Sequence, residues 1–134
     1  MLFQKTLRSA LVVAALMPSV AFADPFDDGA KAFAKNDFKT AEKMWRPLAE
    51  QGNPKAQFNL GVLYASGNGV AQDNASAYLW FSLAASRATG DERADYLSYR
   101  DRVAPLLTPQ QIADAQHRAR EWQAAFEKRQ AQQK

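Results

Sequence analysis

Apolar residues recur at helical spacing along most of the chain. Phe38, Ala41, Trp45, Leu48 and Ala49 fall on one stripe, since residues three, four and seven positions apart share one face of a helix. Three later stripes have the same spacing: Leu60, Leu63 and Tyr64; Ala77, Trp80, Phe81 and Ala84; and Ile112, Ala115, Ala119, Trp122 and Phe126. We find no run with the period-two alternation that is typical of a strand. The pattern predicts an all-α protein.

Signals for helix ends separate these stripes. The pairs Asn53–Pro54 and Thr108–Pro109 each combine an N-cap residue with a proline suited to the first helical turn. Asp73 and Asp91 are also placed as N-caps, because a carboxylate there accepts hydrogen bonds from free backbone N–H groups. Together these signals predict about six helices in antiparallel pairs with short connections.

The loop "SGNGV" lies between two of the stripes. Gly67 is predicted to end its helix in the left-handed conformation, with Asn68 and Gly69 also tolerating positive φ as the chain reverses. Val70 should place its side chain under the turn. A phosphate-binding loop is not indicated, because no strand precedes the glycines and no Lys-Ser or Lys-Thr pair follows them.

The N-terminus has the organisation of a secretory signal peptide. Lys5 and Arg8 precede the apolar run "ALVVAALM" (Ala10–Met17), and a small-residue A-F-A site ends at Ala23. The run is far shorter than the roughly 20 residues that span a bilayer. We therefore expect cleavage near Ala23–Asp24, and a periplasmic or secreted protein without a stable membrane anchor.

Charge and cysteine content exclude several functions. Of the 17 Lys and Arg residues, removal of Lys5 and Arg8 leaves 15 against 14 Asp and Glu, a net charge of +1 instead of the formal +3. Nucleic-acid binding is not expected, since it needs a clustered basic face. The chain contains no cysteine, which excludes disulfides, thiolate zinc sites and a thiol nucleophile.

Two segments of the chain resemble each other. "TAEKMWRPLAEQG" (Thr40–Gly52) aligns with "SAYLWFSLAASRA" (Ser76–Ala88), so that Ala41 matches Ala77 at an offset of 36 residues. This offset is close to the period of paired-helix repeats. Because one such unit cannot bury its apolar face alone, neighbouring units must stack.

The segment Ala56–Ala85, "AQFNLGVLYASGNGVAQDNASAYLWFSLAA", resembles a Sel1-like repeat, a relative of the tetratricopeptide repeat. The family pattern is an A-x-x-x-L-G-x-x-Y helix, a G-x-G-V-x-x-D loop and an A-x-x-W helix that ends in paired alanines. The matching residues are Ala56, Leu60, Gly61, Tyr64, Gly67, Gly69, Val70, Asp73, Ala77, Trp80, Ala84 and Ala85. A glycine at position 61 would let the partner helix approach closely.

The resemblance implies a short α-solenoid of antiparallel helix pairs in a small exported bacterial protein. The expected organisation is a signal peptide (1–23) and a repeat domain (24–127), followed by a frayed polar tail (128–134). Within the domain we expect a degenerate first repeat (24–53), a full repeat (54–90) and a capping helix pair (91–127).

The family relationship also suggests a binding surface. Mapping the first repeat helix onto tetratricopeptide relatives places Lys55, Phe58, Val62 and Ala65 on the concave side. An apolar stripe with a basic end could accept an envelope or secreted protein or peptide. The alternative is that the N-terminal helix pair and the cap cover Phe58. Burial of Phe58 and Val62 against a partner would give a modest interface suited to regulation. The sequence does not define the oligomeric state, and a monomer is favoured.

Catalytic chemistry is not indicated. His117, the only histidine, could share a helix face with Asp114 and Glu121, but three residues on one turn give poor metal geometry, and a solvated face explains them. No serine lies in a recognisable nucleophile elbow. We therefore expect neither catalysis nor a metal or cofactor. The alternatives are a cell-wall-directed enzyme or ligand-binding protein, and a structural subunit of an envelope assembly.

Overall fold

A computed structural model describes residues 24–134, so the predicted signal peptide lies outside the described residues. Residues 24–134 form helices and no strand. In chain order these are α1 (Pro25–Ala34), α2 (Phe38–Glu50), α3 (Pro54–Ser66), α4 (Asn74–Arg87), α5 (Gly90–Val103), a 3-10 turn (Ala104–Leu106) and α6 (Pro109–Gln132). The predicted all-α class with about six helices is confirmed. No helix in this part of the chain has the length and apolar character needed to cross a bilayer.

Capping explains where most of these helices begin. The Asn53 side chain accepts a hydrogen bond from the Ala56 N–H at 3.0 Å. Thr108 forms a reciprocal capping box with Gln111 at the start of α6. Asp73 accepts from two backbone N–H groups of α4 and from the Ser76 hydroxyl. These three predicted N-caps are confirmed.

The predicted N-cap at Asp91 was wrong. Helix α5 begins at Gly90, and Thr89 occupies the N-cap position without a side-chain hydrogen bond. Asp91 instead lies in the first turn, where its negative charge still interacts favourably with the positive end of the helix dipole.

Two of the three loop residues for which positive φ was predicted, Gly67 and Gly69, adopt it. Gly67 ends α3 at a φ of 71°, and Gly69 has a φ of 74°. Asn68 does not adopt positive φ, so that prediction was wrong; the two glycines alone supply the left-handed backbone. A Cβ on Gly69 would lie 2.6 Å from the Phe38 carbonyl oxygen. Val70 is half-buried and packs on the core, as expected.

Consecutive helices from α1 to α5 pack against each other across short loops, as in a short solenoid. Helix α6 departs from this order, because it packs along α4 and not along α5. Both helices of the predicted capping pair therefore dock on α4. The predicted frayed tail is helical as far as Gln132 and is exposed.

The repeat-motif residues form the centre of the core. Ala56, Leu60, Ala77 and Ala84 have no exposed surface, and Trp80 and Ala85 are also buried. Tyr64 is half-buried beside them. The alanines leave little space between neighbouring helices, and the larger Leu60 and Trp80 side chains fill the core beside them.

Candidate functional site

The structure places the four predicted groove residues on two different parts of α3. Lys55 is exposed and Val62 is half-buried on the open side. Phe58 is turned towards α5, where its ring stacks on Tyr96 at a centroid distance of 4.7 Å. Ala65 packs against the cluster that contains Phe81. Val62 packs against the same cluster. Of the four residues only Lys55 is exposed, and only Val62 lines the open pocket between α1 and α3 that is described below.

Helix α5 covers Phe58 with aromatic rings. Besides the stacked Tyr96 ring, Tyr99 meets the Phe58 ring edge-on at 4.9 Å, and Phe81 lies 5.6 Å away. The Tyr96 hydroxyl donates to Glu92 at 2.8 Å. Burial, reinforced by this hydrogen bond and the carboxylate charge, raises the pKa of Tyr96. The phenol thus keeps its proton and its bond. Phe58 is half-buried in this cluster, and Tyr99 lies at its partly exposed edge.

An open pocket of about 220 Å³ lies between α1 and α3 on the other side of Val62. Its lining residues are Phe26, Ala30 and Phe33 from α1, Trp45 from α2, and Asn59 and Val62 from α3. Residues spaced by three and four positions share a helix face, so each helix contributes one strip. The result is a mostly apolar pocket of roughly one large side chain in size.

The base of this pocket is fixed by Trp45, which is 3% exposed. Its indole N–H donates to the Phe26 carbonyl at 3.1 Å. Gly29 allows the indole to lie directly against α1, since a Cβ there would be 2.3 Å from Trp45 Nε1. Phe33 forms the rim, 36% exposed, with its ring 5.8 Å from that of Trp45. The pocket is therefore pre-formed.

Polar and charged groups border the apolar surface at defined points. Asn59 brings a carboxamide, which can both donate and accept hydrogen bonds, to the wall of the pocket. Lys55 lies one helical turn before it and is exposed. Towards α5, the Arg102 guanidinium lies 4.8 Å over the ring of Tyr99, which is 38% exposed. The pocket thus has an amide in its wall and a basic group one turn away, whereas Tyr99 and Arg102 lie outside it.

Sequence reasoning missed Asn59 and the three α1 residues of the pocket. Two stripes cross α3 through Lys55 and Val62: one includes Phe58 and the other includes Asn59. Phe58 was preferred as a binding residue because it is hydrophobic, although the helical spacing allows either Phe58 or Asn59. On α1, the spacing of Phe26, Ala30 and Phe33 is itself a signal of a shared face, and it could have been found.

His117, the only histidine of the chain, lies on an exposed face of α6. His117 Nε2 lies 3.1 Å from a Glu121 carboxylate oxygen, and both side chains are more than 60% exposed. Asp114 accepts a hydrogen bond from Gln110. No cluster of three or more potential metal ligands occurs within residues 24–134. This face of α6 is solvated.

Comparison with models of known protein families finds no match for this chain. No solved structure matches it either.

Proposed function

We propose that this protein is a small exported member of the Sel1-like repeat family. It binds an envelope or secreted protein through the pocket between α1 and α3. The observation that carries the proposal is the pre-formed apolar pocket with Trp45 at its base and Asn59 in its wall. Residues 1–23, with their signal-peptide pattern, support export. The function is binding and not catalysis.

The packing of the repeat supports the family assignment. Gly61 lies directly against the Phe81 ring of α4, and Gly67 ends α3 in the left-handed conformation. Asp73 caps the returning helix. Each position uses the property that the Sel1-like pattern requires of it: a missing side chain, a tolerated positive φ and a capping carboxylate.

The pocket fits an anchor side chain from an extended or helical segment of the partner. Burial of one large apolar side chain would contribute roughly 1.5–3 kcal/mol. The Asn59 carboxamide could pair with the backbone on either side of that residue. Lys55, one turn away, would favour a segment with a nearby acidic group. Because association costs must be subtracted, a single anchor of this kind gives a modest affinity suited to regulation.

The test is affinity capture from envelope extract with the protein exported and processed by a bacterial host. Mass spectrometry of the purified chain also checks that processing leaves Asp24 at the N-terminus. Phe33→Ala and Asn59→Ala alter the rim and wall of the pocket, and Tyr99→Ala is a matched change of an equally exposed aromatic residue outside it. Circular dichroism establishes that all three fold.

A partner retained by the wild type and by Tyr99→Ala, but lost by both pocket variants, is the expected result. The isolated partner must then bind the purified protein with the same dependence on Phe33 and Asn59. If every specific partner binds all variants equally, the pocket is not the binding site and the proposal is wrong.

A further inference from the structure

A second concave feature lies between α2 and α6 and shares no residue with the pocket of α1 and α3. It is an open cleft of about 450 Å³. Its lining residues are Pro47, Glu50 and Gln51 at the end of α2, and Trp122 and Arg129 on α6. This cleft is the larger of the two, and its lining is mostly polar.

The tryptophan in this cleft is held in place by a cluster around Arg87. The rings of Trp122 and Phe126 stack at 5.1 Å with an interplanar angle of 10°. The Arg87 guanidinium lies 4.0 Å over the Phe126 ring, and Arg87 Nε donates to the Gly52 carbonyl at 2.8 Å. These contacts join α4, α6 and the loop that follows α2. They present the half-buried indole as a rigid wall.

Three polar side chains also line the cleft, and all three are exposed. On α6, Gln123 forms hydrogen bonds with Arg87 and Glu127. The side chains of Glu50, Gln51 and Arg129 have no hydrogen-bond partner among residues 24–134. Glu50 is an acceptor, Arg129 is a donor, and Gln51 is both. Glu50 and Arg129 carry opposite charges, so the residues that line the cleft have no net charge, which suits a neutral ligand.

We propose that this cleft binds a short neutral oligosaccharide. A pyranose ring has an apolar C–H face that can stack on an indole, while its edge carries hydroxyl groups that both donate and accept. Trp122 would take the face, and Glu50, Gln51 and Arg129 would take the hydroxyls. An open, polar cleft with one aromatic wall suits such a ligand better than a fully apolar molecule. This inference does not rest on the proposed protein-binding function.

The experiment is a titration of the ¹⁵N-labelled exported protein with tri-N-acetylchitotriose and, separately, with maltotriose, read at the indole N–H signals. The mature chain has three tryptophans, and Trp122→Phe assigns the signal in the cleft. Trp45 and Trp80 are buried and serve as internal controls. We expect a saturable shift of the Trp122 signal alone, with a dissociation constant on the order of 1 mM or lower for at least one sugar.

Variants of exposed residues separate this site from any other. Glu50→Gln combined with Arg129→Ala should weaken binding by about tenfold or more. Lys128→Ala, a neighbouring exposed change outside the cleft, should leave the dissociation constant within about twofold. Co-sedimentation with insoluble cell-wall glycan, with the same variants, distinguishes a polymer from a free oligosaccharide as the source. Cleft-dependent binding in either form supports the proposal.

Three results would overturn it. One is the absence both of a saturable Trp122 shift at about 10 mM sugar and of cleft-dependent co-sedimentation. Another is sugar binding that the double variant leaves unchanged, which would place the site elsewhere. The last is a Trp122 shift with phosphocholine, a zwitterion, when neither sugar nor glycan binds, which would assign the cleft to a different class of ligand.

Discussion

Replacing Gly61 with alanine is a direct test of how closely α3 and α4 pack. A Cβ at position 61 would lie 2.5 Å from both Cδ1 and Cε1 of Phe81. Phe81 is 1% exposed, and the rings of Phe58 and Tyr99 lie 5.6 and 5.8 Å from it. The Phe81 ring therefore has no free space into which it can move, and the helices must shift apart.

Two effects of Gly61→Ala oppose each other. Alanine is favoured over glycine inside a helix by about 0.8–1 kcal/mol. Overpacking a well-filled core costs typically about 1–3 kcal/mol. Because the obstacle is a buried ring and not the end of a flexible chain, the steric term should lie in the upper part of its range. We expect a net loss of about 1–2 kcal/mol in the free energy of unfolding.

The assay is urea denaturation followed by circular dichroism, with a check that the denaturant dependence of the free energy is unchanged. A double-mutant cycle with Phe81→Leu tests the cause. In the Phe81→Leu background the alanine should cost at least about 1 kcal/mol less, since contacting residues couple by amounts of this size. If Gly61→Ala instead stabilises the protein by the helix-propensity amount, the close approach of α3 and α4 at this point is wrong.

Three further changes test other parts of the structure. Phe58→Ala should destabilise the protein by about 2–4 kcal/mol, approaching the cost of Trp80→Ala in the same urea assay, because Phe58 packs inside the domain; a neutral result would return it to the binding surface. Arg87→Met should cost about 1–2 kcal/mol by removing the hydrogen bond to Gly52 and the cation–π contact, and near-ultraviolet circular dichroism should show the change at Trp122. Asp73→Ala should cost about 1 kcal/mol at neutral pH through loss of the cap. The hydrogen bond from the Ser76 hydroxyl, followed by those from backbone N–H groups, lowers the pKa of Asp73 in the folded protein. The cost of Asp73→Ala should therefore be present above the unfolded-state pKa and disappear as the pH falls through the lower folded-state pKa. Urea denaturation curves at neutral and acid pH measure this change.

The helices could be predicted because their signals are local. A stripe at helical spacing and a cap such as Asn53 or Thr108 act within one or two turns, and no distant contact is needed to interpret them. The start of α5 shows the limit of such signals. Thr89 and Asp91 are both acceptable N-cap residues, but the helix begins between them at Gly90, which has a φ of 58°.

The place of α6 depends on contacts that no local signal describes. Its apolar stripe correctly identifies the buried face, including Ala115 and Phe126. The stripe does not indicate which helix packs against that face, and the predicted capping helix pair implied α5. The structure uses α4, where the Arg87 guanidinium lies over the ring of Phe126, 39 residues later in the chain. Residues so far apart are brought together only by the tertiary fold, so sequence spacing could not reveal the contact.

The binding surface shows the same limit in a form that affects function. Phe58 was a reasonable candidate because an aromatic residue on the concave side can bind a ligand. Whether it does so depends on whether other side chains already cover it, and Tyr96 and Tyr99 do so from 38 and 41 residues further along the chain. Asn59, a polar residue on the adjacent stripe, lies instead in the wall of an open pocket. Apolar character indicates only that a residue is favoured in a buried position, and in a short solenoid the neighbouring helix usually buries it. A polar residue that lies half-buried in an otherwise apolar, open surface is therefore the stronger indication of a partner-binding site.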